Sequence, residues 1–218
     1  MYIFVPGATE TQQAVLTKAF GDAIFLAKNA LRPPQHISET QQLEILNKYF
    51  PLQDRNTVER IFNSIIGYNP DAGSAAFGQL VIDATDTENR CPPTGSFNFL
   101  VLEGTTIAVC PDFWTYIGNF PPRECSDLPE DIMSWRMTFP GDSIFHMLIA
   151  YVGREAVAGH SLVNYGVARD PKTDATYTGA ANAFFIRFFA PDKAKLSVTN
   201  YDWYALVSLS PIRESSVL

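Results

Sequence analysis

Near its end the chain reads Asn200-Tyr-Asp-Trp-Tyr-Ala-Leu206. This stretch predicts a helix over Asn200–Leu209, closed by Pro211, which has no N–H to continue it. Working outward, Ala175–Phe189 reads as a helix ended by Pro191, behind a loop at Asp170–Lys172. Upstream, Pro140-Gly-Asp142 introduces the apolar run Ser143-Ile-Phe-His-Met-Leu-Ile-Ala150. That run predicts a helix from Ser143 to Val152, with Gly153 as its stop. At the other end, Thr9-Glu-Thr-Gln12 is a capping-box signature. It opens a helix to about Leu31, with Val15, Leu16, Phe20, Ile24, Leu26 and Ala27 on the apolar side, halted by Pro33-Pro34. Ser38-Glu-Thr-Gln41 repeats the signal for a helix to Tyr49, before Pro51. Asn56 is expected to cap a third helix, Thr57–Ile66, stopped by Gly67.

The middle of the chain has a different texture. Gln79–Ala84 reads as a strand, and Phe97–Glu103 and Thr106–Cys110 as two strands joined at Gly104. Phe120–Pro140 reads as loop, broken by Pro121, Pro122, Pro129 and Pro140. There is no internal repeat and no linker. The expectation is a single α+β domain over residues 1–218, mostly helical with a small β-sheet.

Composition narrows the function classes. Of 218 residues, 46% are apolar and 18% charged, a globular balance far from disorder. A net charge of −7 repels phosphates, and no basic run offsets it, so no nucleic-acid partner is expected. Phe145–Val152, the most apolar stretch, is far short of the ~18 residues a membrane span needs, so no membrane partner is expected either. Met1 precedes no signal-type hydrophobic region, so a secreted form would have had its signal removed. The three cysteines, Cys91, Cys110 and Cys125, sit close together in the Pro/Gly-rich middle without a C-x-x-C. Their placement favours a local disulfide over a metal site, and their odd number leaves one over.

Two segments bear on chemistry. His146 stands on an apolar helix; read alone, it is a core- or cleft-facing histidine. Thr173-Asp-Ala-Thr-Tyr177, followed by Thr178-Gly-Ala-Ala-Asn-Ala183, reads alone as a helix start with Asp174 at its N-cap. No G-x-S-x-G, P-loop or G-x-G-x-x-G occurs, and Glu130-Asp131 reads as a solvated acidic pair.

Together these segments resemble the deuterolysin (aspzincin) family of zinc endopeptidases, fungal and bacterial, which includes the lysine-specific ones. The resemblance is spread over most of the chain. Thr11-Gln-Gln-Ala-Val-Leu-Thr-Lys-Ala-Phe20 is similar to the family's first helix, and Arg55-Asn-Thr-Val-Glu-Arg-Ile-Phe62 to its third. Thr106-Ile-Ala-Val-Cys-Pro-Asp-Phe-Trp114 is similar to its Cys-then-aromatic segment. Asn200–Leu206 resembles the closing N-A-D-x-Y-A-x-F helix, the most specific match. The fold so implied is zincin-like. The family's H-E-x-x-H puts two zinc-binding histidines on one helix face with Glu as general base. A later G-T-x-x-D-x-x-Y-G adds an Asp ligand and a Tyr for the oxyanion.

On that register His146 falls at the first His, Met147 at the Glu, Ala150 at the second His, Asp174 at the Asp ligand and Tyr177 at the Tyr. Thr178 replaces the Gly. A rival register at Val163-Asn164-Tyr165-Gly166 puts Leu162 at the ligand Asp and loses that ligand too. A thioether takes no proton from water, so Met147 is no general base, and Ala150 has no lone pair for a metal. His146 and Asp174 make two ligands where catalytic zinc takes three. The resemblance therefore implies a secreted, fungal-type relative without peptidase activity and without a cofactor. Its former substrate cleft would bind a protein, peptide or glycan. The alternative is an active zinc endopeptidase with displaced ligands, His146, His160 and Asp174, for which Glu155 is the nearest base. The family's disulfide implies Cys91–Cys110, leaving Cys125 single; Cys110–Cys125 is the alternative pairing.

Overall fold

A computed structural model describes residues 2–32, 38–67, 80–94, 100–119, 140–156, 162, 168–169, 176–177 and 179–209. Helix α1 (Glu10–Leu31) begins where the capping box puts it. The Thr9 hydroxyl accepts the Gln12 N–H at 3.2 Å, and the Gln12 side chain accepts the Thr9 N–H at 2.9 Å. Its buried face is Leu16, Ala19, Phe20, Ala23, Leu26, Ala27 and Ala30. The four alanines let another helix come close, while Val15 and Ile24, expected inside, are half-buried. Helix α2 (Glu39–Tyr49) repeats the same cap at Ser38 and Gln41.

Helix α3 spans Arg55–Ile65, two residues earlier than the Asn56 cap predicts. A 3-10 turn, Leu52–Asp54, follows Pro51 and already sets helical geometry, so the helix starts from Asp54. The Asp54 carboxylate makes no cap bond; it receives Lys195 Nζ at 3.0 Å instead. Gly67 takes φ +74° just past this helix, the left-handed conformation that favours glycine.

The sheet has four strands in the order β1-β2-β4-β3: β1 (Ile3–Phe4), β2 (Val81–Asp83), β3 (Leu100–Glu103) and β4 (Thr106–Val109). β1, β2 and β4 run parallel; β3 returns antiparallel to β4 through a turn where Gly104 has φ +57°. The two-residue β1 is too short to show a period in sequence. Helix α4 (Pro111–Asn119) follows β4 at once, a helix the sequence reading left out although Pro111 and Asp112 are first-turn residues. Cys91 and Cys110 are disulfide-bonded with Cα atoms 5.5 Å apart, tying the loop after β2 to the end of β4.

Helix α5 (Pro140–Ala156) is longer at both ends than the predicted Ser143–Val152. Pro140 suits a first helical turn, and Gly153 does not end the helix. It leaves a notch, in which Leu162 sits so close that a Cβ on residue 153 would lie 2.2 Å from Leu162 Cδ1. The predicted helix Ala175–Phe189 is shorter: Thr176–Tyr177 is strand β6, paired with β5 (Ala168–Arg169), and α6 spans Gly179–Phe189. A short α7 (Pro191–Ala194) leads to α8 (Val198–Leu209), which starts two residues before Asn200. The expected loops at Phe120–Pro140 (up to residue 139) and Asp170–Lys172, with Cys125, lie outside the described residues.

Every residue from Val198 to Ser208 is buried, and α8 touches α1, α2, α5 and α6. Apolar and aromatic side chains fill most of it, Tyr201, Tyr204 and Leu206 among them. The buried Asn200 amide donates to the backbone oxygens of Tyr49 at 2.7 Å and Ala183 at 2.9 Å, pinning α2 and α6 to the helix. Phe62 of α3 stacks parallel to Phe145 of α5, with centroids 5.9 Å apart.

Candidate functional site

The site is built by α5 and α8. On α5, Asp142 and His146 are four residues apart and so share one face. On α8, Asp202 follows the two side chains that anchor that helix, Asn200 and the fully buried Tyr201. Asp202 Oδ2 meets His146 Nδ1 at 2.5 Å, a short contact in which the imidazole N–H donates to the carboxylate. The two side chains are 22% and 11% exposed, so the pair sits just beneath the surface. Asp142 Oδ1 and Asp202 Oδ1 are both buried without a protein hydrogen-bond partner.

Charge in this cluster is governed by burial. Desolvation pushes the Asp142 carboxyl up to about 8; the nearby Asp202 carboxylate adds to this, and His146 opposes it. Burial alone would lower His146, but the charge and hydrogen bond of Asp202, with Asp142 behind it, raise it above its ordinary value. Burial also raises Asp202, against the pull of His146. Burial thus favours the protonated form of Asp142, and the Asp202 carboxylate favours the protonated form of His146.

His146 and Met147 lie on α5, and Met147 and Ala150 are partly buried, packed against the hydrophobic core. Tyr177 is in β6, opposite Ala168. Asp174 and His160 lie outside the described residues. The partner that the structure gives His146, Asp202, is the third residue of Asn200–Leu206, and sequence reading assigned it no role. Its signal was an acidic residue inside an otherwise apolar helix. Asp142 was passed over because it is not a histidine.

A carboxylate on one ring nitrogen of a histidine is also how metal-binding histidines are oriented, so that bond suits a zinc site. The remaining donors do not. Among the described residues no group of three His, Cys, Asp or Glu side chains is placed to hold a metal ion. The helix turn after His146 offers only Met147 and Ala150. The described donor set therefore does not fit a catalytic zinc, which takes three protein ligands.

No protein-family model and no curated protein matches the sequence. Among solved structures, the chain is similar to a zinc peptidase from Grifola frondosa. The TM-score is 0.52 at 15% identity, over 91% of this chain and 96% of that one. The fold is metallopeptidase-like. It is α+β and mostly helical with a small sheet, as the sequence reading expects.

Proposed function

We propose that this protein is a secreted, non-catalytic member of the deuterolysin-type fold that binds an extended peptide without cleaving it. The observation that carries the reading is the turn of α5 after His146. Met147 and Ala150 stand there, packed against the core, where hydrolysis on the register set out above needs a carboxylate and an imidazole. The Cys91–Cys110 disulfide accords with an oxidising compartment. No described helix is long and apolar enough to cross a membrane.

The choice of peptide over glycan comes from the sheet. β3 is one of two end strands, β1 being the other; among the described strands it pairs only with β4, and it lies against α5. An end strand beside the cleft helix offers backbone N–H and C=O groups to an added strand. Two assays on the purified protein test the proposal. Incubation with unstructured substrate and added zinc chloride is expected to give no cleavage; cleavage abolished by a chelator would overturn it and favour displaced ligands at His146, His160 and Asp174. Titration with a library of extended peptides is expected to yield binders that proline substitution on β3, at Val101 or Leu102, weakens at least tenfold.

A further inference from the structure

We propose that the His146–Asp202 contact is a metal-free cross-brace that locks α5 to α8. The proposal rests on the non-catalytic reading only in that both exclude a bound zinc; the brace can hold whether or not a peptide binds.

The geometry is that of a clamp between distant parts of the chain. His146 and Asp202 are 56 residues apart, on two helices that pack directly on each other. The contact is charge-assisted and short, and fixes the imidazole ring. Asp142, one helical turn back, presents a second buried carboxyl to the same cluster. The next helical turn, Met147 and Ala150, is partly buried and packed against the core. The contact thus joins the helix that would carry the chemistry to the central helix of the fold. A buried pair of this kind has a characteristic energetic signature. Removing one partner strands a buried charge, whereas removing both removes the problem as well as the bond.

The experiment is a thermal melt of the full chain, wild type against H146Q, D202N and H146Q/D202N, each with EDTA and with zinc chloride, together with metal analysis of the purified wild type. The brace predicts a wild-type midpoint that neither EDTA nor zinc moves, and no stoichiometric zinc. It predicts single variants that melt several degrees lower, and a double variant that melts no lower than the weaker single. A wild-type midpoint raised by zinc and lowered by EDTA, one zinc per chain, or a double variant that falls by the sum of the singles would overturn it. Should the variants not fold, the zinc response and metal content of the wild type decide alone. Peptide titration of the same sample tests the binding reading separately.

Discussion

Leu162 occupies the space that a side chain at residue 153 would need. A Cβ built on Gly153 would stand 2.2 Å from Leu162 Cδ1 and 2.3 Å from its Cγ, so the whole leucine would have to leave. Gly153, near the C-terminal end of α5, is thus a docking notch for Leu162.

Gly153→Ala is therefore expected to destabilise the protein. Alanine in a helix interior gains about 1 kcal/mol over glycine, but overpacking costs about 1–3 kcal/mol, and Leu162 also loses its seat. The net expectation is a loss of about 1 kcal/mol in denaturant unfolding. Gly153→Ala made in a Leu162→Ala background has no leucine to displace and should stabilise instead.

Asn200→Ala removes an amide that donates to both Tyr49 O and Ala183 O inside the core. Two buried carbonyls would lose a donor, at a cost of about 2 kcal/mol or more. Asn200→Asp should be worse, because it turns a carboxylate oxygen toward acceptors. Denaturant midpoints of the two variants give the ranking.

Stability should fall as the solution is made alkaline. In the unfolded chain Asp142 releases its proton near the ordinary carboxylate value of 3.8; in the fold it keeps it up to about 8. The native state binds more protons throughout that interval, so unfolding becomes easier as pH rises through it. His146 acts with the same sign: its folded value is raised above 6.5, and its contribution is lost as pH climbs through that raised value. Asp202, also raised, adds to the trend. Melts taken across this range should show a midpoint declining with pH, and D142N, a neutral stand-in for the protonated acid, should flatten the slope.

Breaking the Cys91–Cys110 bridge should cost about 3 kcal/mol, the usual effect of cross-linking a loop of this length. Unfolding of C91A/C110A against the oxidised wild type measures it. Reductant should bring the wild type toward the variant and leave the variant unchanged.

The sequence announced its structure best where a short-range rule governs. Thr9–Gln12 and Ser38–Gln41 each start a helix where their capping boxes say, because the cap is a bond between neighbours. Gly104 and the hairpin around it were legible for the same reason. Reading failed where the deciding partner is remote. Gly153 looks like a helix stop until Leu162 is seen in its notch. Asn56 looks like a cap, but the helix already starts from Asp54, whose carboxylate is held by Lys195 from far down the chain. Thr176–Tyr177 looks helical in isolation but becomes a strand because Ala168–Arg169 pairs with it. The site divides along the same line. His146, Met147 and Ala150 could be placed from one helical stretch, whereas the contact with Asp202 spans 56 residues, and its one trace in sequence is an acidic residue in a buried helix.

The burial of α8 on all sides sets a schedule for synthesis. This helix is the post on which α1, α2, α5 and α6 lean, yet the ribosome delivers it after all of them. At about 5–20 residues per second, α1 and α2 wait many seconds before α8 arrives to pack on them. The helices before α8 therefore complete their packing only once it has been made. A stop codon before Val198 would release a chain without the helix on which α1, α2, α5 and α6 pack.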